Sequence, residues 1–201
     1  MPSSPTASKP RLSICAAAAT GGEITLQGVS ASHLGAVIET LRAVGVRLVE
    51  TDAGLLVTAA GDLQSVHCVA EPYPGFPTDM QAQLTALLTQ ANGLSIVRDS
   101  VFPDRFMHLP ELARLGADVQ RDQSAAIIRG GRPLQGANVM ASDLRASAAL
   151  VIAGLVAQGQ TAIRRIYHLD RGYDALESKL TALGGQVRRV RDDEAVRRSA
   201  A

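Results

Sequence analysis

Phe76-Pro77-Thr78-Asp79-Met80-Gln81-Ala82-Gln83 and Ala141-Ser142-Asp143-Leu144-Arg145-Ala146-Ser147 follow one plan. In each, a hydroxyl residue precedes an aspartate, and an apolar helical run follows. Downstream of each string a helical pattern stops at a glycine, Gly116 and Gly184, and Gly45 stops a similar pattern earlier in the chain. These glycines are 71 and 68 residues apart, and self-similarity at a near-constant period marks a repeat architecture.

Working outward, the first unit reads as a helix at 11–20, a strand at 23–27, a helix from Ser32 to Gly45, and a hairpin of strands 46–50 and 55–59. Leu34, Ile38 and Leu41 give that second helix an apolar face, and Gly45 supplies its left-handed stop. The second unit runs strand 66–70, a Pro-rich loop, helix 79–90, strand 94–98, a helix ending at Gly116, and strands 118–121 and 125–129. The third has strand 137–141, helix 143–157, strand 161–166, helix 170–183 with Tyr173, Leu176, Leu180 and Leu183 on one face, and strand 186–190. No returning strand follows, which leaves a sheet edge open to association. Residues 1–10 are rich in Pro and Ser and read as a disordered leader. Domain organisation is therefore leader 1–10, one folded domain 11–190 (units about 11–60, 66–129 and 137–190), and charged tail 191–201.

Composition narrows the function. The 201 residues are 46% apolar and only 3% aromatic, with no Trp and a net charge of +1. That excludes a stacking platform or a basic footprint for nucleic acid. Lys9 and Lys179 are the only lysines among the 20 basic residues, so arginine dominates. A planar donor fork suits carboxylate and phosphate, although a coding bias produces the same excess. Cys15 and Cys68 have no paired spacing and the four histidines no ligand spacing, so neither a disulfide nor a metal is expected. No apolar run reaches the ~20 residues that span a bilayer, and a soluble cytosolic protein is expected.

Asp79 and Asp143 admit two readings. Thr78 and Ser142 are natural N-caps, Gln81 completes a capping box with Thr78, and an aspartate in a first turn complements the helix dipole. The alternative is a pair of site carboxylates. Arg145 favours that alternative, because it places a cation against the dipole at a cost of about 0.3–1 kcal/mol. Arg171, in His168-Leu169-Asp170-Arg171-Gly172-Tyr173, is a second arginine expected at a helix start. Arg105 lies in the corresponding loop of the second unit. If these residues converge, they form an acid/base and anion-binding set.

The strings FPTDMQAQ (Phe76 to Gln83), DSVFPDRFMHLPEL (Asp99 to Leu112), DLRASAALVIAG (Asp143 to Gly154) and RIYHLDRGYDALESKL (Arg165 to Leu180) resemble the enolpyruvyl transferase family. Within it they are similar to the C-terminal part of the UDP-N-acetylglucosamine 1-carboxyvinyltransferases of peptidoglycan synthesis, over Leu12 to Val190. The resemblance implies an α/β fold, an inside-out α/β barrel of three β-α-β-α-β-β repeats with helices central and sheets outside, the third repeat lacking its returning strand. It implies transfer of the enolpyruvyl group of phosphoenolpyruvate to the 3-hydroxyl of UDP-N-acetylglucosamine, with no cofactor. By motif, Asp79 would contact the sugar and act as base, and Val101 would hold the nucleotide sugar through its backbone. Arg145 and Arg171 would bind the phosphoenolpyruvate anion, Asp143 would orient groups at the reacting carbon, and Arg105 would support them.

The family's Lys-Asn pair and cysteine-bearing loop have no counterpart in this sequence, and Cys15 and Cys68 do not inherit the general-acid role. The family's opening segment also crosses over to complete this domain, which accounts for the empty ladder position. The stretch Ser8-Lys9-Pro10-Arg11-Leu12 departs from the family's approach to its helix. The expectation is thus a transferase part that lacks its N-terminal domain and is inactive alone. The alternatives are a non-catalytic nucleotide-sugar-binding module, or a scaffold docking on an intact transferase through the open edge.

Overall fold

The computed structural model describes residues 8–31, 34–59 and 61–190, with the side chains of Ser8 and Lys9 left aside. Ser32, the expected cap, residues 1–7 of the expected leader and the tail at 191–201 lie outside the described residues.

Three helices, α1 (Ser8–Thr20), α3 (Gln81–Leu88) and α5 (Leu144–Val156), pack on one another. All eight residues of α3 are buried, Gln81, Gln83 and Thr85 included, and α5 is buried from Ala146 to Ala153. A helix buried all round cannot be amphipathic, so these segments carry no clean apolar stripe. Small side chains (Ala16 to Ala18, Ala82, Ala86, Ala148, Ala149) let the helices approach, and Leu12, Ile14, Leu84, Leu87, Leu88 and Leu150 fill the spaces between them. Truncating one of these leucines to alanine costs about 2–5 kcal/mol. α1 begins at Ser8, so the helix takes in the last three residues of the expected leader.

Each helix leads into a strand of its own sheet. β1 (Glu23–Leu26), β2 (Val46–Thr51) and β3 (Gly54–Ala59) form an antiparallel sheet in the order β1-β3-β2. β4 (His67–Ala70), β5 (Leu94–Asp99), β6 (Asp118–Asp122) and β7 (Ala125–Arg129) are ordered β4-β5-β7-β6, with β4 and β5 parallel. Apart from β4, which has no counterpart in the first sheet, the two units share a strand order. α2 (Gly35–Ala43) and α4 (His108–Arg114) connect β1 to β2 and β5 to β6. Gly45, Gly116 and Gly184 have φ of +99°, +86° and +93°, the left-handed stop that a Cβ would strain.

The third unit departs from expectation. β8 (Asn138–Met140) and β9 (Ala162–Arg164) form a parallel pair and nothing more. The expected helix 170–183 is two pieces, α6 (Tyr167–Asp170) and α7 (Leu176–Ala182), separated by Ala175 in the left-handed region at φ +46°. Residues 186–190, expected as a strand, pair with no neighbour among the described residues. Their alternating pattern is compatible with a strand, but a strand exists only against a partner. On the outer side of β8, away from β9, the Met140 N–H donates to a Glu111 carboxylate oxygen at 2.9 Å.

Candidate functional site

The openings of α1, α3 and α5 meet, and each brings one charged side chain. Asp79 lies in a 3-10 turn (Thr78–Met80) that precedes α3, Arg145 is the second residue of α5, and Arg11 is in the first turn of α1. Arg145 donates from Nε and Nη2 to Asp79 Oδ1, at 2.8 and 2.5 Å. Arg11 stands 3.8 Å from Asp79 Oδ2, and Arg105 is 3.9 Å from Oδ1. One carboxylate, 41% exposed, thus faces three guanidinium groups whose side chains are 16%, 25% and 34% exposed for Arg11, Arg105 and Arg145. The cation that breaks the dipole rule at the start of α5 is turned onto a carboxylate 66 residues earlier in the chain.

Neither expected cap forms. Thr78 donates its hydroxyl to Asp99 Oδ2 at 2.6 Å, so it makes no capping box with Gln81, whose amide reaches Thr85 instead. Asp99 is fully buried, and its Oδ1 accepts the backbone N–H groups of Val101 (2.9 Å) and Phe102 (2.8 Å). A buried carboxylate needs such donors. Here they tie the end of β5 and the loop carrying Arg105 to the turn carrying Asp79. At α5 the cap is Asp143 itself: Oδ1 accepts from the N–H groups of Arg145 (2.7 Å) and Ala146 (2.8 Å). A carboxylate outcompetes a hydroxyl at a helix N-terminus, and the Ser142 hydroxyl is left buried without a partner.

Around this cluster the chemistry is graded by burial. Burial lowers His108 to about 4, with Asp143 pulling the other way, so its imidazole is neutral at physiological pH. Burial pushes Tyr173 up to about 12; a hydrogen bond with Gln83 opposes this, as do the Arg145 and Arg11 charges. Phe102, Pro103, Asp104, Arg105, Met107 and Asp143 line an open hollow of about 310 Å³, and the Arg105 guanidinium lies 3.8 Å over the Phe102 ring. Cys15 and Cys68 are buried free thiols, raised by burial to about 12 and about 11.

Among the expected site residues, the structure brings Asp79, Arg145 and Arg105 into contact, with Asp143 at the same helix opening. Val101 lies in the Arg105 loop, its N–H committed to Asp99. Arg171 touches none of them; it is exposed, just past the end of α6 rather than at a helix start. Its neighbour Gly172 packs on Leu144 at the opening of α5, where an added Cβ would sit 2.8 Å from a Leu144 methyl. Sequence reasoning missed Arg11, Asp99, Tyr173 and His108. Only Arg11 carried a signal, as a cation at the start of an alanine-rich helix. Among the described residues no group of His, Cys, Asp and Glu gathers as a metal site, and no helix is long and apolar enough to cross a membrane.

A family model described as EPSP synthase (3-phosphoshikimate 1-carboxyvinyltransferase) matches residues 5–180. The UDP-N-acetylglucosamine 1-carboxyvinyltransferase of Gluconacetobacter diazotrophicus is 54% identical over 89% of this chain and 42% of its own length. That of Gluconobacter oxydans is 53% identical over 89% and 43%. The enolpyruvyl transferase NikO from Streptomyces tendae superposes with a TM-score of 0.81 at 31% identity, over 90% of this chain and 43% of that one. EPSP synthase from Acinetobacter baumannii, at 19% identity and a TM-score of 0.58, shares the fold. The chain spans about two fifths of the length of the curated relatives it matches. With strings, fold and comparisons in agreement, the chain belongs to the carboxyvinyltransferase (enolpyruvyl transferase) family that this model describes.

Proposed function

We propose that this chain is the substrate-contacting C-terminal part of a cytoplasmic enzyme of peptidoglycan synthesis, one that moves the enolpyruvyl group of phosphoenolpyruvate to the 3-hydroxyl of UDP-N-acetylglucosamine. The three-unit inside-out arrangement, with helices central and sheets outside, belongs to the same reading. The observation that carries it is the Asp79 carboxylate held among three guanidinium groups where α1, α3 and α5 open. The transfer needs a base for the hydroxyl proton, a proton donor for the methylene carbon, and cations for phosphate and carboxylate.

In this reading Asp79 contacts the sugar and takes the hydroxyl proton as the oxygen attacks C2 of phosphoenolpyruvate. The methylene carbon gains a proton; its later loss, with departure of inorganic phosphate, restores the double bond. Arg145 and Arg171 hold the phosphoenolpyruvate anion, Asp143 keeps the start of α5 in place beside the reacting carbon, and Val101 and Arg105 shape the sugar side. Arg145 must give up part of its hold on Asp79 for both to act. The protein donor of the methylene proton comes from an N-terminal domain, so the chain alone turns over poorly.

The test is phosphate release from the two substrates by the full chain mixed with a separately made N-terminal part of a close relative. Release that requires both parts, and that Asp79→Asn and Arg171→Ala abolish, is expected. No release from the mixture, together with no thermal shift by UDP-N-acetylglucosamine, would refute the reading.

A further inference from the structure

Between α6 and α7 the chain dips into the core for one residue. Arg171 and Asp174 are exposed, whereas Tyr173 between them is 5% exposed. The Arg171 side chain has no hydrogen bond or ion pair among the described residues; its neighbours are fixed instead. Asp170 accepts from both Arg189 Nη groups, at 3.1 and 2.6 Å. Gly172 lies so close to Leu144 that a Cβ would not fit. Tyr173 joins the buried cluster of the central helices, and its hydroxyl meets the Gln83 side chain of α3. Only Oε1 of that buried amide lacks a partner, so the Gln83 amide N–H donates to the Tyr173 oxygen. A glutamine on a fully buried helix is costly unless its polar atoms are used. Ala175 then turns the chain out to α7 in the left-handed region, a strain that persists only where the packing around it enforces it.

We infer that Tyr173 is a positioning residue for Arg171: its hydroxyl, bonded to Gln83, sets the segment 170–174 in register with the helices that carry Asp79 and Arg145. Gln83 is one helical turn beyond Asp79, and Leu144 immediately precedes Arg145. Both anchors of the segment therefore grip the elements that hold the other site residues, while Arg171 alone projects from it. Without the hydroxyl the ring still fills its place, but Gln83 keeps a buried donor with no acceptor and the segment lifts away more readily. That Arg171 serves phosphoenolpyruvate rests on the proposed function; the anchor rests on the packing and the hydrogen bond.

The experiment measures amide hydrogen exchange of the full chain in low urea. The Gly172 and Tyr173 amides both donate to the Leu169 carbonyl, at 3.0 and 2.8 Å, and report the lifting of the segment. Their rates should be insensitive to low urea, the mark of a local opening. Tyr173→Phe should speed them about fivefold, the effect of one lost hydrogen bond. Gln83→Leu should do the same, and the double variant no more than either, because both remove one bond. Tyr167→Phe, the same change at an exposed tyrosine of α6, should leave them within about twofold. In the mixed-part assay Tyr173→Phe should raise KM for phosphoenolpyruvate about fivefold and leave that for UDP-N-acetylglucosamine within about twofold. Unchanged rates in Tyr173→Phe overturn the inference, as do single effects that multiply in the double variant, or rates that follow urea as steeply as those of α5. An equal rise in both KM values overturns it as well, since general loosening would move both. A mixture without turnover removes the phosphoenolpyruvate assignment, and the exchange rates alone then decide the anchor.

Discussion

Replacing Asp79 by asparagine keeps an oxygen that Arg145 can donate to but removes the negative charge. Three guanidinium groups would then lose the carboxylate they share. Both partners of the Arg145 pair are partly exposed, so its worth lies between the ~0.2–1 kcal/mol of surface pairs and the 3–5 kcal/mol lost on breaking a buried one. Arg11 and Arg105, at 3.8 and 3.9 Å, are longer contacts and add about 0.5 kcal/mol each. Because asparagine retains a hydrogen bond, the net loss should be about 2 kcal/mol. A domain of this size has a urea m-value of roughly 2–3 kcal/mol/M, so the midpoint should fall by somewhat under 1 M. Double-mutant cycles should rank the partners: coupling of Asp79→Asn with Arg145→Gln above about 1 kcal/mol, and with Arg11→Gln or Arg105→Gln near half of that. An unchanged or higher midpoint for Asp79→Asn, or a coupling to Arg145 no larger than that to Arg11, would refute the electrostatic account.

Other substitutions separate support from chemistry. Asp143→Ala should cost about 1–2 kcal/mol by uncapping α5, and Asp143→Asn should recover most of it in urea unfolding. His108 is held at about 4 against 6.5 in the unfolded chain. The unfolded state therefore binds the extra proton, and stability present above pH 6.5 declines as pH falls toward 4, by about 3 kcal/mol in all. The difference in urea midpoint between wild type and His108→Gln across pH 4–7 reads this effect, and a flat difference would contradict it. Gly116→Ala, at φ +86° in open space, should cost about 1 kcal/mol from backbone strain alone. Cys15 and Cys68 should react with a thiol reagent at pH 8 only on unfolding, because burial keeps both protonated.

What the sequence made legible were features set by local backbone chemistry or by a local rule broken. Gly45, Gly116 and Gly184 announced helix ends because only glycine takes the left-handed stop without strain. Arg145 announced itself by opposing the helix dipole, and Asp79 proved to be its partner. The caps failed because a local rule competes with distant partners it cannot see. Thr78 prefers the buried Asp99 carboxylate 21 residues on. Asp143 takes the capping position expected of Ser142. The third unit was misread because periodicity reports which faces want burial, not whether a neighbour exists. Gln186 to Val190 alternate, yet no strand among the described residues pairs with them, and the face drawn through Leu183 leaves that residue 61% exposed. Arg171 was placed at a helix start that the structure moves to Leu176.

Arg11 escaped notice for a more general reason. The polar signature of the repeat stands at the starts of α3 and α5, and α1 does not carry it. The openings of α1, α3 and α5 lie at one junction, so residues far apart in sequence meet there. Residues with no resemblance in sequence are neighbours there: Arg11 and Arg145 both face Asp79, although in sequence Asp79 corresponds to Asp143. Such a junction is well suited to chemistry. Buried helices fix the backbone beneath it, Asp99 and Asp143 absorb the backbone donors of the flanking loop and helix, and the side chains that remain are free to differ from unit to unit. Arg11 and Arg145, with Arg105 added from the adjoining loop, share the Asp79 carboxylate there.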